Sequence, residues 1–201
     1  MANYDGVVSR HLNRRLSRPA ARALARTPAT PNAVTLFTLA LSLVTGALIA
    51  AGWEIAGGLL IQAVSVVDGV DGELARLKAM TTRFGAVLDA VTDRYADAAM
   101  LAGMTVYAVR FEDWPRPEVA GVLALGAALS VSYSRARIEA SMATAPSDGL
   151  FGLASRDVRS LIAAAGTIAG QCYWTLVVLA AASALTVAWR LVALRPQVPR
   201  P

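Results

Sequence analysis

The sequence predicts an all-α polytopic membrane protein, with six transmembrane helices preceded by an amphipathic juxtamembrane helix. Two observations predict it. Of the 201 residues, 56% are hydrophobic and only 16% charged, where ordinary soluble domains carry about 25% charged residues. The apolar residues are also gathered into long runs parted by short polar or proline-containing breaks, which is the pattern of membrane spans. A single cysteine, Cys172, excludes an intramolecular disulfide, and a single histidine, His11, excludes a His-rich metal site. No cleavable signal peptide is expected, because the N-terminal region is polar and basic and lacks an early apolar core.

Residues 1–29 read as the basic juxtamembrane helix, best formed from Tyr4 to Arg26. Val7, Val8, Leu12, Leu16, Ala20 and Leu24 approximate one helical stripe, and Arg10, Arg14, Arg15, Arg18, Arg22 and Arg26 occupy much of the rest. Pro19 is expected to interrupt or kink it. Such a helix lies on a membrane, apolar side to lipid and arginines towards anionic headgroups. A nucleic-acid arm is the alternative, but the segment leads straight into a span and has no companion reading surface, so no nucleic-acid partner is expected.

The domain 30–194 follows the breaker Thr27-Pro28-Ala29-Thr30-Pro31-Asn32. A first span runs from Ala33 to Ala51, with Trp53 at the interface. The second starts near Ile55, is apolar to Val67, and continues as a polar helix through Asp68 to Lys78. The third runs from Arg83 to Arg110 and carries Asp89, Asp93 and Asp97 on one stripe. Residues 111–118 form a polar turn with two prolines. The fourth span, Val119 to Tyr133, continues as a polar helix, and residues 145–155, with Pro146 and Asp148, form a loop. The fifth span, Val158 to Gly170, is short, and the sixth runs from Tyr173 to Leu194. The proline-rich tail, 195–201, is expected to be disordered.

Six spans put both termini on one side. Arg110 and Arg116 are then the only basic residues on the far side, and the other seventeen of nineteen fall on the near side or its inner edge. The positive-inside rule makes that near side, with both termini and the aspartates at 68–93, cytoplasmic. The basic excess therefore serves orientation, anionic lipid and an anionic ligand.

Between Asp68 and Asp93 the chain reads D-x2-D-G-x2-A-R-x8-G-x3-D-x3-D, on Asp68, Asp71, Gly72, Ala75, Arg76, Gly85, Asp89 and Asp93. The i, i+3 and i, i+4 spacings put each aspartate pair on one helical face, and the link lets two helices bring the pairs together. Facing carboxylates repel unless a hard cation joins them, and all-oxygen ligands suit Mg²⁺ or Mn²⁺. Helical glycines at 72 and 85 suit the close approach of a ligand. Arg76 offers a guanidinium fork to a phosphate, so the set suits a pyrophosphate-bearing substrate. Asp93 is the candidate general base. Arg135, Arg137, Arg156, Arg159 and Arg190 form a second basic group at the same face, suited to a phosphorylated acceptor. Asp97 reads as a structural partner for an arginine. Two other readings compete: a transporter using the intramembrane aspartates as a proton or ion relay, which would favour internal repeats that are not seen, and a catalytically inactive lipid-binding or assembly protein.

The pattern resembles, at every fixed position, the signature of the CDP-alcohol phosphotransferase (CDP-alcohol phosphatidyltransferase) family. The six-span layout and the Thr30-Pro31-Asn32 triplet before the first span are similar as well. The resemblance implies that Asp68, Asp71 and Asp89 bind divalent metal, with Asp93 beside it as ligand and proton acceptor. It implies CDP contacts at Asn32, Asp68, Gly72, Ala75, Arg76, Thr82 and Gly85. An acceptor hydroxyl attacks the phosphorus carrying the donor alcohol, and CMP leaves. Members are typically homodimers. The runs SYSRARIEAS and TRFGAVLDAVTDR resemble phosphatidylinositol phosphate synthases, while DGVVSRHLNRR and SRDVRSL resemble di-myo-inositol-phosphate-phosphate synthases. Both branches imply a myo-inositol phosphate acceptor, with Arg135, Arg156, Arg159 and Arg190 as its phosphate ligands. The donor is CDP-diacylglycerol in one branch and CDP-inositol in the other.

Overall fold

The computed structural model describes residues 14–142 and 156–194. His11, the first half of the juxtamembrane helix, the loop with Pro146 and Asp148, and the tail 195–201 lie outside the described residues. Among the described residues the regular structure is entirely helical: α1 (Arg14–Ala25), α2 (Pro31–Ala50), α3 (Glu54–Leu77), α4 (Arg83–Phe111), α5 (Pro117–Met142), α6 (Arg156–Ile168) and α7 (Cys172–Leu194).

Four of these, α2, α3, α5 and α7, are long and apolar enough to cross a membrane. The longest helix, α4, has 29 residues but carries Asp89, Asp93, Arg94 and Asp97. Helix α6 has 13 described residues, a length of about 20 Å at 1.5 Å per residue, against a hydrocarbon core of about 30 Å. The expected six crossings are thus four by length and composition.

Helix α2 shows how the bundle is turned relative to a soluble one. Between its buried ends at Val34 and Ile49, the buried face is Thr35, Thr38, Ser42, Thr45 and Gly46, while Leu36, Phe37, Leu43 and Val44 are exposed. The buried hydroxyls return hydrogen bonds to carbonyls four residues back, at 3.2 Å from Thr35 and 2.8 Å from Ser42. Along the middle of the helix, small and self-satisfied groups pack inside and large apolar ones face outward, as helix association in lipid favours.

Glycines set the closest helix approach. A Cβ on Gly103 of α4 would run into the backbone of Gly46 on α2, and a Cβ on Gly46 would meet the carbonyl of Ala99. This contact holds α4 against α2 just beyond the aspartate-bearing turns. Gly103→Ala is expected to destabilise the fold by about 1–3 kcal/mol, as overpacking does. Thermal unfolding in detergent checks this, and an unchanged midpoint would remove the role assigned to the contact.

The helix starts depart by a few residues from expectation. The breaker is also the cap: Thr30 Oγ1 accepts from the Ala33 amide at 3.3 Å, and Pro31 occupies the first position of α2. Asn32 therefore lies in the first turn of a helix instead of in a loop. Thr82 caps α4 in the same way, accepting from the Gly85 amide at 2.9 Å. Pro19 does not end α1, which runs through it. Pro19 is exposed, so the carbonyl that it leaves without a donor has access to water or headgroups. The face of α1 against α3 is made of buried Ser17 and Ala21, and Leu16 remains exposed. Lys78, just past α3, donates to the carbonyls of Thr27 at 2.6 Å and Ala29 at 2.7 Å. It ties the α1–α2 link to the polar end of α3.

At the opposite end, Glu112 accepts from the amides of Cys172 at 2.6 Å and Tyr173 at 3.0 Å and so caps α7. Trp114, Tyr173 and Trp174 stack beside it, with ring centroids 5.1 to 5.6 Å apart. The apolar core between the two ends centres on Ile49, Ile61, Met104 and Leu176.

Candidate active site

Helices α3 and α4 each pack chiefly on other helices, both of them on α2, rather than on each other. Their polar ends therefore flank a gap, and the aspartates project into it. Asp68, Asp89 and Asp93 each offer a carboxylate oxygen, and these lie within 4.8 Å of one another. The i, i+4 pair of α4 thus meets the first member of the i, i+3 pair of α3.

Asp71 stands apart from that trio. Thr35 Oγ1 donates to its Oδ2 at 2.6 Å and the Gly72 amide to its Oδ1 at 2.5 Å. It is buried, and it borders the cavity beside the trio.

That cavity, about 230 Å³, brings Asn32, Gly72, Ala75, Arg76, Thr82 and Gly85 together with Asp71 and Asp89. Every residue singled out for CDP contact except Asp68 lines it. Two of the lining groups follow directly from the caps: Thr82 begins α4 and Asn32 sits in the first turn of α2. A Cβ at Gly85 would lie 3.1 Å from Thr82 Oγ1 and 3.3 Å from Asn32 Oδ1, so glycine keeps that wall thin. Arg76 is exposed and paired with Glu73 at 2.5 Å, and Glu73 lies 3.8 Å from Arg18 of α1.

The second basic group divides. Arg156 enters the aspartate cluster itself: it pairs with Asp68, with Asp93 at 2.8 Å and with Asp97 at 3.9 Å. Arg159, one turn on, pairs with Asp97 at 3.0 Å. Arg190 is buried and donates to the Val131 carbonyl at 2.7 Å and to Ser134 Oγ at 3.0 Å, both on α5. Arg135 pairs with Glu139 on its own helix at 3.0 Å, and Arg137 is exposed. Arg94 also reaches Asp93, at 3.2 Å.

The donor set suits a hard divalent cation. It is all oxygen, and the trio is a convergent one. No hydrogen bond or ion pair reaches the Asp89 carboxylate from another described residue, the Thr92 hydroxyl donating only to the Asp89 carbonyl, so a half-buried carboxylate is left for a cation to neutralise.

The sequence reading missed three supporting residues: Thr35, Glu73 and Lys78. Thr35 was detectable in principle, as the first member of a hydroxyl stripe that also passes through Thr38, Ser42 and Thr45 of an otherwise apolar span. Thr35→Val is expected to lower metal affinity about 10- to 100-fold, the usual cost of losing a group that orients a ligand. A Mn²⁺ titration checks it.

A sequence profile of known proteins matches residues 28–194, and it is that of CDP-alcohol phosphatidyltransferases. The chain belongs to the CDP-alcohol phosphatidyltransferase family. A "Bifunctional IPC transferase and DIPP synthase" from Rubrobacter xylanophilus is 42% identical over 166 residues, which are 83% of this chain and 37% of that protein. The chain thus spans little more than a third of that relative. A phosphatidylinositol phosphate synthase from Mycobacteroides abscessus is 38% identical over 199 residues, covering 95% of this chain and 89% of the relative. Among solved structures, the phosphatidylinositol phosphate synthase of Mycobacterium tuberculosis with manganese and citrate superposes with a TM-score of 0.78 at 29% identity, covering 92% of this chain and 93% of that one. The same enzyme with CDP-DAG bound gives a TM-score of 0.75 at 31% identity over 89% of this chain and 92% of that one. These relatives lie in the two branches that the sequence motifs resemble.

Proposed function

We propose that this phosphatidyltransferase moves a substituted phosphate from CDP-diacylglycerol to a myo-inositol phosphate and releases CMP, supported by Mg²⁺ or Mn²⁺. The observation that carries the reading is the convergence of Asp68, Asp89 and Asp93 at the edge of a cavity lined by Asn32, Gly72, Arg76 and Gly85.

Asp68, Asp71, Asp89 and Asp93 would hold the metal, which neutralises charge on the pyrophosphate and on the departing CMP. Gly72 and Gly85 let the nucleotide approach the backbone. Arg76 turns its fork from Glu73 to a phosphate. Asp93 accepts the proton of the acceptor hydroxyl. The hydroxyl oxygen bonds to the phosphorus bearing the donor alcohol, the bond from that phosphorus to the bridging oxygen breaks, and CMP leaves with the electron pair. Arg156, which pairs with Asp93, and Arg159, one turn on and paired with Asp97, bind the acceptor phosphate. Arg159 lies within electrostatic reach of Arg94, Arg156 and Arg190, and like charges gathered there suit an anion.

Helices α2 to α7 all span the membrane in this reading, α4 with its charges turned to the site. Both termini and the site face the cytoplasm, in line with the arginine distribution, and the protein is a homodimer. The choice of CDP-diacylglycerol rests on the near full-length likeness to the Mycobacteroides abscessus protein. A second reading, CDP-inositol as donor, is favoured by the higher identity to the Rubrobacter xylanophilus protein.

The test is CMP release from purified protein given Mg²⁺ and inositol phosphate with each donor in turn. Release with CDP-diacylglycerol is expected. Release with CDP-inositol alone would replace the donor, and silence with both would remove the acceptor assignment.

A further inference from the structure

We propose that Arg156 is a built-in counter-cation of the aspartate cluster that a divalent metal must displace, so that metal loading is the event that frees Arg156 for an anionic acceptor. The inference rests on the metal reading above and adds an order to it: metal first, acceptor phosphate second.

The argument is geometric. Arg156 opens α6, and its Nη1 reaches Asp68 Oδ2 and, at 2.8 Å, Asp93 Oδ1. The other oxygen of Asp93 is held by Arg94 at 3.2 Å. Asp68 and Asp93 are two of the three carboxylates that converge within 4.8 Å. A divalent ion among Asp68, Asp89 and Asp93 must therefore take oxygen that guanidinium groups already hold. Two cations that close repel strongly in a partly buried site. The arginine side chain is only 24% exposed, so it does not simply dissolve into water.

It has a second anchor. Its Nε lies 3.9 Å from Asp97 Oδ1, on the side away from Asp89 in sequence along α4. Asp97 keeps one carboxylate for Arg156 after Asp68 and Asp93 are taken, and its partner Arg159 is already there at 3.0 Å. Displacement thus leaves two guanidinium groups beside one carboxylate, a pair with net positive charge, which suits a phosphate monoester. Before metal binds, the same Arg156 donors are occupied by carboxylates. By linkage, whatever affinity Arg156 costs the metal, the metal returns as freedom of Arg156.

The test is Mn²⁺ binding to the full chain in detergent, read from the free-ion EPR signal. Arg156→Gln is expected to bind Mn²⁺ about tenfold more tightly than wild type, within the range usual for coupled sites. Arg159→Gln removes the same charge one turn away, where it pairs with Asp97, and is expected to shift affinity by much less. Equal shifts in the two variants would mean long-range charge rather than displacement and would overturn the proposal. So would unchanged or weaker binding in Arg156→Gln, with the metal reading left standing. Absence of Mn²⁺ binding in wild type would remove the metal reading and this inference together. If Arg156→Gln does not fold, the wild type suffices: the ¹⁵N side-chain resonance of Arg156, assigned through Arg156→Lys, is expected to shift on saturation with Mg²⁺. A resonance unmoved at saturation would overturn the proposal.

Discussion

Asp93→Asn is expected to yield a folded protein that releases CMP about a thousandfold more slowly than wild type, the middle of the range for loss of a general base. The amide preserves the shape of the side chain and removes its ability to accept the hydroxyl proton. The fold tolerates the change because Arg156 keeps Asp68 and Asp97 as partners. Loss of one carboxylate also relieves repulsion from Asp68 and Asp89. A circular dichroism spectrum and a melting midpoint near wild type, with turnover lost, is the expected pair of results. Wild-type turnover in a purified variant would remove Asp93 from the mechanism.

Asp89→Asn separates metal binding from proton transfer. Asp89 belongs to the converging trio, and no arginine pairs with it among the described residues. Its neutralisation is expected to weaken Mn²⁺ binding about a hundredfold, at least the loss that follows from disturbing an orienting group. In the absence of metal the variant should be no less stable than wild type, because the substitution removes repulsion with Asp68 and Asp71 and breaks no ion pair. Turnover should fall with it and recover in part at high Mn²⁺, whereas Asp93→Asn should stay slow at any metal concentration. Mn²⁺ affinity equal to wild type would exclude Asp89 as a ligand.

The helical architecture was legible because lipid imposes it: backbone groups in a bilayer must be satisfied within helices or closed barrels, and the apolar runs show where. The site was legible for a related reason. Charged side chains at membrane depth are costly, so Asp68, Asp71, Asp89 and Asp93 stand out against their surroundings. Spacing placed each pair on a face, and it did not tell which oxygens would face which cations. Asp71 stands outside the trio with a hydrogen bond from Thr35, on another helix. Arg156 enters it from a helix 88 residues away in sequence. No local pattern encodes such long-range pairings. Asn32 and Thr82 were placed by the family resemblance, and the caps supply the physical reason: each lies in or next to the first turn of a helix that borders the cavity. Helix α4 is not among the four helices long and apolar enough to cross a membrane, because Asp89, Asp93, Arg94 and Asp97 interrupt its apolar residues.

The most direct measurement is CMP release from EDTA-stripped protein supplied with a CDP-alcohol and inositol phosphate, before and after Mg²⁺ is returned. No release is expected without metal or when either substrate is left out, and release is expected once metal is returned. Equal release with and without metal would mean that the Asp68–Asp89–Asp93 cluster is not a divalent-metal phosphotransfer site.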